Sequence, residues 1–417
     1  MWESDLLRRY HLSNGIEVIT ERLPQFRSAT LGVWMRVGSV NETRENNGVS
    51  HLLEHLFFKG TKTRTARQIM ESLEGVGGSA NAFTSREYTT LYSRILDTHI
   101  DLAAEILADI LINSTFPDLE KERAVIAEEI QSYIDTPEEH VLDLLSAVIW
   151  RRHSLGFTIT GTKRSLARLN LQAVKNYYRT WYVPSNILIA AAGNFNNDAL
   201  KDLFERHFGG IEGTDNRRVY DPPNVRAIKK LFFRKIGQVH LSLGLPGVPA
   251  DDPLRYPLNL LVNILGGSPL SRLYQRVRED EGLAYQVNTF VSSYERTGLV
   301  GVYAALSPKH TQKAADIIFD EMTSLKRKKV PDDELRSAKE QLKGNIVLSL
   351  ESTSGRMHRL ARSILSLGRV ETLSTVMKHI DAVTADDILR LANDLFRNEL
   401  LNVVALGPIK KLEVREL

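Results

Sequence analysis

The 417-residue chain is 42% hydrophobic and 25% charged, carries a net charge of only +3 and contains no cysteine. That balance gives no electrostatic footprint for nucleic acid and no polybasic patch for a membrane surface. Disulfides and thiolate zinc sites are excluded, so any metal must be held by histidine and carboxylate, and the composition fits a reducing, cytoplasmic setting.

The opening "MWESDLLRRYHLSNG" is charged and lacks the apolar core of a signal peptide. No apolar run reaches the roughly 18–20 residues that span a bilayer. Asn14-Gly15 lies between two strand-like runs and predicts a hairpin, followed by a strand over 30–39. Helical patterning covers 48–59 and resumes from Thr65 up to the glycines Gly75, Gly77 and Gly78. The stretch 79–96, rich in Thr and Tyr, reads as one or two strands. Long helices are predicted at 98–113, at 117–135 and between 137 and 181, then a strand in "NILIAAAGNF" and a helix at 197–208.

Residues 209–230 combine glycine, Pro-Pro and charge without apolar periodicity and read as a linker. After them the order begins again: a strand in "QVHLSLGLPG", helices at 253–265 and 270–280, two strands, several helices and a final strand in "LNVVALGP". The pattern predicts two similar α+β domains, residues 1–210 and 231–417 joined by 211–230, each a mostly antiparallel sheet packed with several helices. The similarity is one of pattern, without strong internal identity.

Within "GVSHLLEHLFFKG" (48–60), His51 and His55 stand one helical turn apart, with Glu54 just before the second. Side chains at i and i+4 share a face, with Cβ atoms about 5–6 Å apart, so both imidazoles can reach one zinc at about 2.0–2.1 Å. These five residues alone are read equally well as the polar edge of an amphipathic helix. A catalytic zinc needs a third protein ligand. On the helix predicted at 117–135, Glu122 and Glu129 share a face, whereas Glu128 points about 100° away. Val125, Ile126, Ile130 and Tyr133 bracket that face, which predicts that both carboxylates turn inward and want a partner; a divalent cation would be one.

His51-x-x-Glu54-His55 matches the inverted zinc-peptidase motif. "HLLEHLFFKGT", "GGSANAFTSREYT", "ERAVIAEEIQ", "HSLGFTITGT" and "GGSPLSRLYQRVREDEGLAY" follow one another in order. Together they resemble the pitrilysin family of zinc peptidases, most closely its mitochondrial-processing-peptidase-like branch, over the whole chain. The resemblance implies Zn2+ bound by His51, His55 and Glu129, with Glu122 supporting the ligands from behind. The stretch between His55 and Glu129 is slightly shorter than is usual in that family, and Glu129 is preferred to Glu128 for its helical face and its "VIxxEIQ" context. Glu54 is implied as the general base for a water. Ser79, Ala80, Asn81, Ala82, Phe83 and Thr84 resemble the edge strand that pairs with an extended peptide substrate.

Arg278 and Tyr285, in "REDEGLAY", resemble the Arg/Tyr pair that contacts the substrate backbone and the developing oxyanion. Larger relatives close as a clamshell with zinc in one half and this pair in the other. A chain the length of one half that carries both implies a homodimer, with Arg278 and Tyr285 supplied across subunits. The competing reading is a non-catalytic structural or partner subunit of the same fold, against which stands the presence of His51, Glu54, His55 and Glu129 together.

Overall fold

The computed structural model describes residues 6–217 and 219–417. Residues 1–5, which begin the opening stretch and the first predicted domain, and Arg218 in the predicted linker lie outside the described residues.

The Asn14-Gly15 turn joins β1 (Leu7–His11) to β2 (Glu17–Arg22) as an antiparallel hairpin, with Gly15 at φ 87°, where a side chain would be strained. They continue into β3 (Ser28–Met35), β4 (Ser79–Thr84), β5 (Thr89–Leu96) and β6 (Ile187–Gly193) in one sheet of order β1-β2-β6-β3-β5-β4. Only the β2–β6 pair is parallel. The helices α1 (Val49–Phe57), α2 (Ala66–Glu74), α3 (Ile100–Ile112) and α4 (Leu119–Asp135) follow the predicted order. The helical region predicted between 137 and 181 divides into α5 (Pro137–Ile149), the short helix Lys163–Leu166 and the helix Leu171–Trp181. The Thr162 and Asn170 side chains cap the last two at their N-termini and so mark where each begins.

The second sheet holds β7 (Ile228–Phe233), β8 (Val239–Gly247), β9 (Ala284–Ser293), β10 (Gly298–Leu306) and β11 (Asn402–Gly407), in the order β7-β11-β8-β10-β9. β7 starts inside the stretch read as linker. "IKKLFF" has no clean alternation, and it becomes a strand by parallel pairing with β11, at the far end of the chain. The order β2-β6-β3-β5-β4 in the first sheet and β7-β11-β8-β10-β9 in the second is the same, with one parallel pair at the same place. The two α+β sheets, each mostly antiparallel and packed with helices, are as expected.

The compact units differ from contiguous halves by two segments. The first unit comprises the residues up to Gln131, Phe157–Val219 and Leu348–Val370; the second comprises Ser132–Gly156, Tyr220–Val347 and Glu371–Leu417. The helix Thr353–Leu367 therefore covers β2, β3 and β6, and α5 covers β8 and β11. Each seat is cut by a glycine at the middle of a central strand. A Cβ at Gly32 would lie 2.7 Å from Met357 Sδ, and one at Gly244 would lie 2.9 Å from a Leu145 methyl. Among the described residues no helix is long and apolar enough to cross a membrane.

Candidate metal centre

The helix α1 is fixed first at its N-terminus. Gly48 sits at φ 95°, with Thr160 O only 2.7 Å from where a Cβ would be. The buried carboxylate of Glu42 accepts hydrogen bonds from Gly48 N–H at 2.7 Å, Ser50 N–H at 2.9 Å and Asn47 Nδ2 at 2.8 Å. A carboxylate there satisfies donors the helix cannot pair and complements the helix dipole. Burial pushes the Glu42 pKa up, and the bonds from Asn47, Gly48 and Ser50 oppose that shift. Val49, Leu52, Leu53 and Leu56 are fully buried on one side of α1, which leaves Glu54 and His55 half-buried at its rim and His51 only 8% exposed.

Helix α4 supplies the carboxylates. Glu129 Oε1 lies 3.6 Å from His51 Nε2, and its Oε2 lies 3.7 Å from His55 Nε2. Two ligands at about 2.1 Å from a tetrahedral zinc stand about 3.4 Å apart, so these separations are close to those of a zinc shell. Among the described residues His51, His55 and Glu129 are the one group of three whose donor atoms all fall within 4.8 Å of one another. Glu128 is exposed, in keeping with the choice of Glu129. Only half of the expected apolar bracket is buried: Ile126 and Ile130 are, whereas Val125 and Tyr133 are 45% and 37% exposed. The inward face of α4 is narrower than the apolar residues suggested.

Glu122 is 1% exposed. Its Oε2 lies 3.2 Å from His55 Nδ1, and its Oε1 pairs with Lys59 Nζ at 2.9 Å. With the proton on Nδ1, donated to Glu122, the Nε2 lone pair of His55 faces Glu129. This carboxylate–histidine arrangement sets the tautomer and raises the basicity of a zinc ligand. Among the described residues His51 has no such support, its Nδ1 being buried without a hydrogen-bond partner. Burial, with the charge of His55 adding to it, pushes the His51 pKa down to about 3. A neutral imidazole is what a metal requires. Burial raises the pKa of Glu129, against the attraction of His55, and a divalent cation would act in the opposite sense. Two imidazole nitrogens and one carboxylate are a donor set that fits zinc.

Glu54 points toward β4, whose Thr84 Oγ1 donates to Glu54 Oε2 at 2.5 Å. Burial raises the Glu54 pKa and the Thr84 hydrogen bond opposes it. β4 is the terminal strand of its sheet, so Ser79 to Thr84 pair with β5 on one side only.

Arg278 and Tyr285 lie in the second unit. Arg278 sits on the π-helix Tyr274–Asp280, with its guanidinium carbon 4.8 Å from the Tyr274 ring centre and 5.4 Å from that of Tyr285. Tyr285 is 79% exposed. The helix Arg255–Gly266 follows β8 as α1 follows β3, and it carries Asn259-Leu-Leu-Val262-Asn263 where α1 carries His51-Leu-Leu-Glu54-His55. That helix of the second unit thus repeats the leucine pair of the motif and has neither imidazole nor base around it.

Glu42 and Lys59 escaped the reading of the sequence. Lys59 stands one turn beyond His55, a spacing that could have flagged it. Glu42 precedes α1 at no helical spacing and is linked to it only through the folded loop.

The description "Insulinase (Peptidase family M16)" matches residues 17–163, and "Peptidase M16 inactive domain" matches residues 168–342. The uncharacterized zinc protease YmxG of Bacillus subtilis is 40% identical over 396 residues, covering 94% of this chain and 97% of the relative. A protein of Arabidopsis thaliana named "Probable mitochondrial-processing peptidase subunit beta, mitochondrial" is 33% identical, over 96% of this chain and 78% of its own. The crystal structure of a protease from Helicobacter pylori shares the fold at a TM-score of 0.90 and 22% identity, covering 96% of this chain and 99% of that one.

Proposed function

Since the chain belongs to the insulinase-type peptidase family M16, whose relatives are named zinc proteases, we propose that it is a zinc endopeptidase acting on extended or unfolded peptides. The observation that carries the reading is the convergence of His51, His55 and Glu129 on one point, with Glu54 on the same helix as the two histidines. His51, His55 and Glu129 would hold the metal, and Glu122 with Lys59 would orient His55. When bound, zinc polarises the scissile carbonyl and brings the acidity of a water near neutrality. Glu54 takes the proton of the attacking water and returns it to the departing amine. Ionised, it only accepts hydrogen bonds, so it holds the water without competing donors.

The open edge of β4 receives the peptide backbone as an added strand, and this makes binding largely indifferent to side-chain sequence. The test is metal removal. Chelator-treated protein is expected to lose digestion of a mixed peptide pool and to regain it with one zinc per chain. Digestion that survives complete metal removal would refute the reading, and a metal-replete protein that digests nothing would favour the non-catalytic subunit.

Arg278 and Tyr285 complete the site from a second copy in this reading. Their exposure, 37% for the Arg278 side chain and 79% for Tyr285, leaves them available to one. Mixing inactive Glu54→Gln and Arg278→Ala proteins is then expected to restore activity through hybrid dimers, up to about a quarter of wild type for random pairing with one competent site per hybrid. No recovery despite demonstrated subunit exchange would remove the shared site.

A further inference from the structure

Glu54 is asked to accept a proton at one oxygen, which requires that its carboxylate not rotate freely at the end of a three-bond side chain. The Thr84 hydroxyl donates to Oε2 at 2.5 Å, within the range of a charge-assisted O–H···O⁻ bond. Thr84 is held in turn. It is the last residue of β4, paired in register with Thr89 of β5. The Thr89 hydroxyl is anchored by donating to Val37 O at 2.9 Å and lies 3.4 Å from Thr84 Oγ1. Alternation along β4 puts Ala80, Ala82 and Thr84 on one face and Asn81 and Phe83 on the other. Phe83 packs edge-on against Trp34 at 5.7 Å between ring centres, which fixes the strand's rotation and hence the direction of Thr84.

We propose that Thr84 is a positioning residue for the general base: its hydroxyl clamps Glu54 Oε2, leaves Oε1 to receive the proton, and ties the base to the strand that binds the peptide. This rests on the peptidase reading and deepens it. The edge strand then does two things with separate parts of one residue. Its backbone belongs to the row that pairs with substrate, and its side chain belongs to the base. A peptide added along β4 is set at a fixed distance from Glu54, since both are referred to the same strand.

The test separates those parts. Thr84→Val keeps the shape and the strand preference but removes the donor. It is expected to lower kcat by about 10–100-fold, the scale of a misplaced catalytic group, with KM and zinc content unchanged. Thr84→Ser, which keeps the hydroxyl, is expected to return most of the lost kcat. In the Glu54→Gln background, Thr84→Val is expected to cost far less in turnover than the roughly 10–100-fold it costs in the wild type, because the residue acts through Glu54. Melting curves check the fold, and Thr84→Ala is judged by the same criteria where the valine protein is unstable. Unchanged kcat in the valine protein, a rise in KM alone, or equal losses in the valine and serine proteins would each overturn the proposal. A wild type without zinc-dependent hydrolysis would instead overturn the peptidase reading, and this inference with it.

Discussion

Glu54→Gln protein is expected to bind as much zinc as wild type while its peptide turnover falls by about 10²–10⁴-fold, the range that a positioned general base contributes. The substitution is nearly isosteric, and the glutamine carbonyl can still accept the Thr84 hydroxyl that now reaches Oε2. His55 keeps its Glu122 partner and α1 keeps its Glu42 cap, since neither hydrogen bond is made by Glu54. What is lost is the capacity to take a proton, and with it the nucleophile. The pair of measurements is metal content per chain and kcat on an extended reporter peptide. Full turnover in the metal-replete protein would strip Glu54 of its role. Loss of zinc together with turnover would show that Glu54 serves the metal instead.

Local residue patterns carried the ligand set a long way. Two histidines on one helical turn and a glutamate pair on one face of a second helix are patterns of period 3.6, and chemistry restricts which residues can occupy them. The parts that sequence did not disclose depend on contacts between distant segments. Glu42 holds α1 through a loop, and β7 becomes a strand only when β11 arrives. Val125 and Tyr133 look like core residues on a helical wheel, yet both are exposed, because a wheel records spacing and not what packs against each face. The internal duplication was legible as an order of elements. A residue-level likeness, Asn259-Leu-Leu-Val262-Asn263 beside His51-Leu-Leu-Glu54-His55, is noticed once the matching strand orders pair the two helices. The helix Arg255–Gly266 carries asparagine and buried Val262 around its leucine pair and no histidine or carboxylate, and among the described residues one metal group forms.

A fragment of residues 1–210 is expected not to reach the native structure of the first unit, although it contains all three ligands and the whole first sheet. The missing piece is the helix Thr353–Leu367. It seats Met357, Leu360, Ala361 and Ile364, each at most 1% exposed, on Ile19, Trp34, Leu188, Ala190 and Ala192. Burying each of its three large side chains contributes about 1.5–3 kcal/mol, so the helix supplies about 5–9 kcal/mol before its entropy is counted. That is comparable with the 5–15 kcal/mol by which whole domains are stable. Its removal also leaves Trp34 Nε1 without the Met357 sulfur it faces at 3.3 Å, and leaves Thr30 without Thr353 at 2.9 Å. The Met357 sulfur occupies the place beside Gly32 where a Cβ would be only 2.7 Å away, so losing the helix leaves that place open. The fragment should therefore bind a hydrophobic dye, lack cooperative thermal unfolding and hold zinc poorly. Adding a peptide of residues 348–370 in trans should restore a cooperative transition. A fragment that melts cooperatively by itself, with the near-ultraviolet signal of a buried Trp34, would show that the exchanged helix is dispensable. Restoration by the peptide would make the exchange the reason that the two halves of the chain fold together.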